Sequence, residues 1–233
     1  MRMRFRDRPS PNHGPRPDGT SVDMLVLHYT GMVSAEAALD RLCDPAAEVS
    51  AHYVVEEDGT VWRLVDEGRR AWHAGRGAWG GAQDVNNRSI GVEIVNPGHE
   101  YGYRPFPQAQ MQAVIELCRG ILARHPIPAG NVIAHSDMAP ARKQDPGELF
   151  DWPALADAGI GLWPEADAHG TIWDGSDDQV ATLLARLGYD LAIATFTETL
   201  TAFQRHWHPE ALGQPAGAET VRRLHSLLAQ SAR

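Results

Sequence analysis

Ile90-Gly91-Val92-Glu93-Ile94-Val95 is an apolar, largely β-branched run broken by one carboxylate. Its length and composition predict a buried strand, with Glu93 inside it as a group that burial does not favour. Outward from it, Met24-Leu25-Val26-Leu27 is a second short apolar run, ending at His28. Asn131-Val132-Ile133-Ala134-His135 is a third, again ending in histidine. His52-Tyr53-Val54-Val55 and Val61-Trp62-Arg63-Leu64-Val65 flank Glu57-Asp58-Gly59-Thr60, where Asp-Gly between β-rich runs predicts a hairpin. Ser34 caps a helix carrying Ala37, Ala38, Leu39 and Leu42 that ends near Pro45. Pro107 opens another, with Met111, Val114, Ile115, Cys118, Ile121 and Leu122 on one face. Strands mixed with helices, one hairpin among them, predict an α/β fold with a mixed central β-sheet flanked by helices.

After about residue 160 the pattern changes to three short helices. Ser176-Asp177-Asp178 caps the first, whose face is Val180, Leu183, Leu184 and Leu187, stopped by Gly188. The second carries Phe196, Leu200, Phe203 and Trp207, and the third Val221, Leu224, Leu227 and Leu228. The organisation expected is a catalytic domain over 1–163, a linker over 164–171 and a small C-terminal three-helix bundle over 172–233. Residues 1–20 form an N-terminal arm whose Pro-, Arg- and Gly-rich part reads as extended chain on the surface. Removing the tail is therefore expected to leave a folded domain.

The 233 residues carry a formal charge of −9, which excludes a bulk basic field for nucleic acid or anionic membrane. The longest apolar runs are too short for a membrane span, and the charged N-terminus lacks the apolar stretch of a secretory signal. Cys43 and Cys118 are too few for a disulfide framework or a four-thiolate metal site. A cytoplasmic protein is the expectation, with periplasmic location by non-standard export as the alternative; no obligate protein partner is inferred. Of twenty-one Lys and Arg residues, one alone, Lys143, is lysine.

His28 and His135 both stand where an apolar strand gives way to a loop, so adjacent strands would bring them to one point. A single such histidine is more often a hydrogen-bonded structural residue. Asp145 lies ten residues beyond His135 in a Pro- and Gly-bearing loop that could return its carboxylate to the same place. Two imidazoles and a carboxylate leave a tetrahedral zinc ion one open position, the arrangement of a hydrolytic site. Glu93 reads either as a salt-bridged strand residue or as a base that passes a proton from water to a leaving amine. Lys143 reads either as a solvated loop residue or as a cation stabilising an oxyanion.

Four stretches together carry a family resemblance: Leu-His-Tyr-Thr-Gly-Met at 27–32, Ala-Trp-His-Ala-Gly at 71–75, Ser-Ile-Gly-Val-Glu-Ile-Val-Asn at 89–96, and Ala-His-Ser-Asp-Met-Ala-Pro-Ala-Arg-Lys-Gln-Asp-Pro-Gly at 134–147. In order and spacing, over roughly residues 9–160, the chain resembles zinc-dependent N-acetylmuramoyl-L-alanine amidases of the AmpD/AmiD type. The resemblance implies one Zn2+ held by His28, His135 and Asp145, with Glu93 and Lys143 catalytic. It implies that Trp72, His73, Asn87 and Arg142 line a groove for peptidoglycan or muropeptide, cut between N-acetylmuramic acid (or its anhydro form) and L-alanine during cell-wall turnover or recycling. His52 reads as a structural strand residue. The stretches at 183–189 and 202–207 make the tail resemble a peptidoglycan-binding module. Two rivals are a muropeptide-binding module without activity, disfavoured because all five metal and catalytic positions hold competent residues, and a stem-peptide zinc peptidase, for which no His-Glu-x-x-His helix is present.

Overall fold

The strand around Glu93 lies inside a six-stranded sheet. The structure, a computed structural model, describes residues 4–166 and 172–232. Its strands are β1 (Arg4–Asp7), β2 (His13–Pro15), β3 (Met24–Tyr29), β4 (Tyr53–Val55), β5 (Thr60–Arg63), β6 (Arg69–Ala71), β7 (Ser89–Ile94) and β8 (Val132–Ala134). Its helices are α1 (Ala35–Cys43), α2 (Val85–Arg88), α3 (Gly98–Tyr101), α4 (Gln108–Arg124), α5 (His135–Met138), α6 (Trp152–Asp157), α7 (Asp177–Leu187), α8 (Phe196–Trp207) and α9 (Ala218–Ser231).

The sheet order is β1-β5-β4-β7-β3-β8, parallel except for the β4–β5 hairpin, which turns through Gly59 at φ +83°. A positive φ at that position is what glycine accommodates without strain. In the β3–β7 register Leu25 lies opposite Ile90, Leu27 opposite Val92 and His28 opposite Glu93. Because side chains alternate along a strand, this register sorts the two faces. Leu25, Leu27, Ile90, Val92 and Ile94 pack with Val114, Leu117, Cys118 and Ile121 of α4 and Leu155 of α6. Met24 and Val26 point the other way, into a core shared with α7, α8 and α9. Leu39 and Leu42 of α1 cover Val54, Leu64 and Val95 in a third cluster. A central strand covered on both sides reads as a near-continuous apolar run, which is why 90–95 stood out.

Two features differ from the sequence expectations. The arm is woven into the structure rather than laid along it. β1 extends the sheet beside β5, and β2 pairs antiparallel with β6. Between them, buried Asn12 donates to the carbonyls of Asp44 and Val49, both at 2.8 Å. The three helices form as expected, with Ser176 accepting from the Gln179 amide and Thr195 and Glu198 capping α8 reciprocally. They do not stand apart from the sheet, however. Trp79, Ile133 and Met138 join Met24 and Val26 against Val180, Leu184, Phe203, Trp207, Leu224 and Leu227 in one core. The expected linker, 164–171, falls mostly on residues 167–171, which lie outside the described residues.

Candidate active site

β7, β3 and β8 are adjacent and parallel, so their carboxyl ends meet along one edge. His28 and Glu93 are cross-strand neighbours there. His135 follows the last residue of β8 directly. Asp145 arrives on the loop after α5, held by the Ser136 amide donating to its carbonyl at 3.0 Å. Arg142 ties the same loop to its neighbour, donating to the carbonyls of Ala74 (2.8 Å) and Arg76. Ligands in open parallel sheets gather at this end of the strands, and here a cleft of about 650 Å3 is lined by Trp72, Glu93, His135, Lys143 and Asp145 among others.

His28 Nδ1 and His135 Nδ1 lie 2.9 Å apart, and Asp145 Oδ2 lies 3.0 Å from the first and 2.9 Å from the second. His135 Nε2 is 2.9 Å from the Ala74 carbonyl. A carbonyl only accepts, so the ring proton sits on Nε2 and Nδ1 presents a lone pair. His135 Nδ1 and the Asp145 carboxylate thus turn lone pairs toward one point beside His28 Nδ1, as the ligands of a cation would. All three residues are buried, and among the described residues they are the one such group of His, Cys, Asp and Glu able to hold a metal ion. Burial, with His135 alongside, lowers the pKa of His28 to about 4 and keeps it neutral. Burial opposes ionisation of Asp145, but the two imidazoles beside its Oδ2, His135 first, outweigh it and hold its carboxyl below the usual range. Two imidazole nitrogens and one carboxylate oxygen fit a divalent ion.

Glu93 is partly exposed to the cleft, yet its Oε2 is buried with no hydrogen-bond partner among the described residues. Burial, reinforced by the Asp145 charge and offset by Lys143, pushes its pKa well above the usual carboxylate range. Lys143 lines the cleft, its backbone amide donating to Ala139 at 3.0 Å and its ammonium without a hydrogen-bond or ion-pair partner among the described residues. Trp72 stands half-buried in the cleft wall with its indole Nε1 unpaired. His73 lines the cleft but turns its ring toward His28, Nδ1 lying 3.0 Å from His28 Nε2. Asn87 is not brought into the cleft wall; its amide donates to Asp84 at 2.9 Å. Its buried neighbour Asn86 accepts from the amides of His73 and Ala74, at 3.1 and 2.9 Å, and fixes that segment. His52 is structural, its Nδ1 accepting from the Gly91 amide at 2.9 Å.

Sequence reasoning missed the groups that brace this site from the tail. Asp137, two residues beyond His135 and fully buried, accepts at Oδ2 from the Ala134 amide (2.8 Å) and from His206 Nδ1 (2.6 Å). Its Oδ1 accepts from the Tyr189 hydroxyl at 2.7 Å. The His206 ring stacks between Trp152 and Trp207, with centroids 3.7 and 3.6 Å away. Next to it, Arg205 reaches Glu148 at 3.3 Å, Glu148 meets His99, and His99 meets the Tyr29 hydroxyl at 3.0 Å on the cleft rim. A histidine on a helix otherwise spaced for apolar packing is the one faint signal that could have pointed to His206.

The model of the family described as N-acetylmuramoyl-L-alanine amidase matches residues 18–148. The chain is 38% identical over 230 residues to the N-acetylmuramoyl-L-alanine amidase AmiD of Escherichia coli, covering 89% of this chain and 82% of that protein. It is 32% identical over 161 residues to the 1,6-anhydro-N-acetylmuramyl-L-alanine amidase AmpD of the same organism, covering 62% of this chain and 86% of that protein. The solved complex of E. coli AmiD with anhydro-N-acetylmuramic acid-L-Ala-D-gamma-Glu-L-Lys superposes with a TM-score of 0.81 at 36% identity, over 96% of this chain and 93% of that one.

Proposed function

Since the chain belongs to the N-acetylmuramoyl-L-alanine amidase family, we propose that it is a zinc hydrolase that cuts the amide between the lactyl group of muramic acid and L-alanine, with the anhydro form as its substrate. The observation that carries this reading is the convergence of His28 Nδ1, His135 Nδ1 and Asp145 Oδ2 beside an unpartnered Glu93. Those three residues would hold the ion. Bound there, zinc supplies Lewis acidity and lowers the pKa of water to about 7.

The chain's own groups account for the proton movements. Glu93 takes a proton from the attacking water and returns it to the alanine nitrogen as the amide breaks. A carboxyl whose pKa burial raises well above its ordinary value suits both halves of that transfer. Lys143, whose ammonium has no competing partner among the described residues, offsets the negative charge that grows on the carbonyl oxygen. Trp72, its Nε1 unpaired, offers a hydrogen bond and a flat apolar wall to the muropeptide.

The test is metal dependence. Chelation should abolish hydrolysis of anhydro-muropeptide and added zinc restore it. His28→Ala, His135→Ala and Asp145→Ala should each lose the metal. Full turnover by protein shown to be metal-free would reject the site. Lys143→Ala should lower kcat more than it raises KM, since its interaction is strongest in the transition state; a change in KM alone would assign it to ground-state binding.

The same reading takes α7–α9 as a peptidoglycan-binding module, supported by the resemblance at 183–189 and 202–207. Chelated full-length chain should co-sediment with insoluble sacculi, and a chain that stays in the supernatant would remove that role.

A further inference from the structure

We propose that His73 and Ser89 are positioning residues that set the tautomer of the ligand His28, so that its Nδ1 lone pair faces the metal position. The proposal rests on reading His28 as a metal ligand and adds a chain of hydrogen bonds with one direction. The Ser89 hydroxyl lies 2.7 Å from the Val85 carbonyl, which can only accept, so its proton is committed there. His73 Nε2 lies 3.1 Å from Ser89 Oγ. With the hydroxyl proton spent, that contact requires His73 Nε2 to donate. The proton of the neutral His73 ring is then on Nε2, and Nδ1 is an acceptor. Nδ1 lies 3.0 Å from His28 Nε2, so His28 must carry its proton on Nε2 and leave Nδ1 bare. His135 reaches the same state by a single bond to the Ala74 carbonyl. The two ligands are thus oriented by unrelated devices, as outer partners of metal-bound histidines commonly are.

Packing holds the relay. His73 is buried against β7, and a Cβ at Gly91 would overlap its ring atoms. Glycine at that place in the apolar run therefore admits the ring. Asn86 fixes the backbone beneath it through the His73 and Ala74 amides.

The experiment compares zinc affinity, by competition with a chromophoric chelator, with the protonation pattern of the His28 ring in long-range proton–nitrogen spectra of the metal-free protein. In the wild type the His28 ring should show an unprotonated Nδ1. His73→Leu removes the acceptor and should lower zinc affinity about 10–100-fold, with His28 shifting to a mixture of tautomers. His73→Asn places a carbonyl oxygen near the former Nδ1 and should recover part of both. Ser89→Ala frees the His73 proton to move and should also mix the His28 tautomers, which keeps the test alive should His73→Leu fail to fold. A His73→Leu chain that binds zinc within twofold of wild type would overturn the proposal. So would equal losses in His73→Leu and His73→Asn, or an unchanged His28 ring in Ser89→Ala. Failure of the wild type itself to bind zinc would instead reject the metal reading on which the relay depends.

Discussion

Glu93→Gln is expected to cut turnover about 10²–10⁴-fold while zinc and muropeptide still bind. Glutamine preserves the shape at the end of β7 but cannot take up and return a proton. The wild-type rate should fall on acidification from a pH above the ordinary carboxylate range, because burial raises the Glu93 pKa. The same shift acts on stability. A carboxyl whose folded pKa exceeds its unfolded value stabilises the fold fully below the unfolded pKa, and that contribution is lost as pH rises through the folded pKa. Metal-free Glu93→Gln should therefore melt higher than metal-free wild type at neutral pH, with the gap closing toward about pH 4. Near-wild-type turnover in the variant would remove Glu93 from the mechanism.

Ending the chain after residue 166 should have an equally large effect, of a different kind. It uncovers Met24, Val26, Trp79, Ile133 and Met138, all buried against α7–α9. It also strips the buried Asp137 of His206 and Tyr189, and a hydrogen bond to a charged group is worth about 1.5–3 kcal/mol. Asp137 holds the turn that carries His135, so the loss reaches the metal position. The truncated chain is expected to lose its cooperative melt and its zinc together. Tyr189→Phe should show a milder form, a lowered melting temperature with zinc retained. The AmpD relative, matched over 62% of this chain, makes this a demanding test. If the truncated chain melts as the full one does and keeps zinc, the bracing by α8 is unimportant. Activity lost on sacculi but kept on soluble muropeptides would then mark the tail as a wall anchor alone.

The chemistry was legible where it interrupted an apolar pattern. His28, Glu93 and His135 interrupt or follow largely apolar strands, and the sheet places the first two side by side at the β3–β7 register. Asp145 followed from the loop, and Lys143 stood out as the sole lysine. The arm was not legible as strand, because Pro, Arg and Gly give no alternation and Arg4 finds its partner Thr60 far along the chain. The bracing cluster was hidden for a related reason. Asp137 finds Tyr189 and His206 from far along the chain, and no local period announces such a meeting. Asn87 and Asn86 show the limit of position-by-position resemblance: the first faces Asp84, and the second holds the backbone behind the cleft.

The most direct measurement is the mass of the products formed when zinc-loaded protein meets purified anhydro-muropeptide. The account predicts two fragments, an anhydro-muramic acid bearing a lactyl carboxylate and an intact stem peptide with a free L-alanine amine, their masses together exceeding the substrate by one water. Cleavage at any bond within the stem peptide, or intact substrate in the presence of bound zinc, would contradict it.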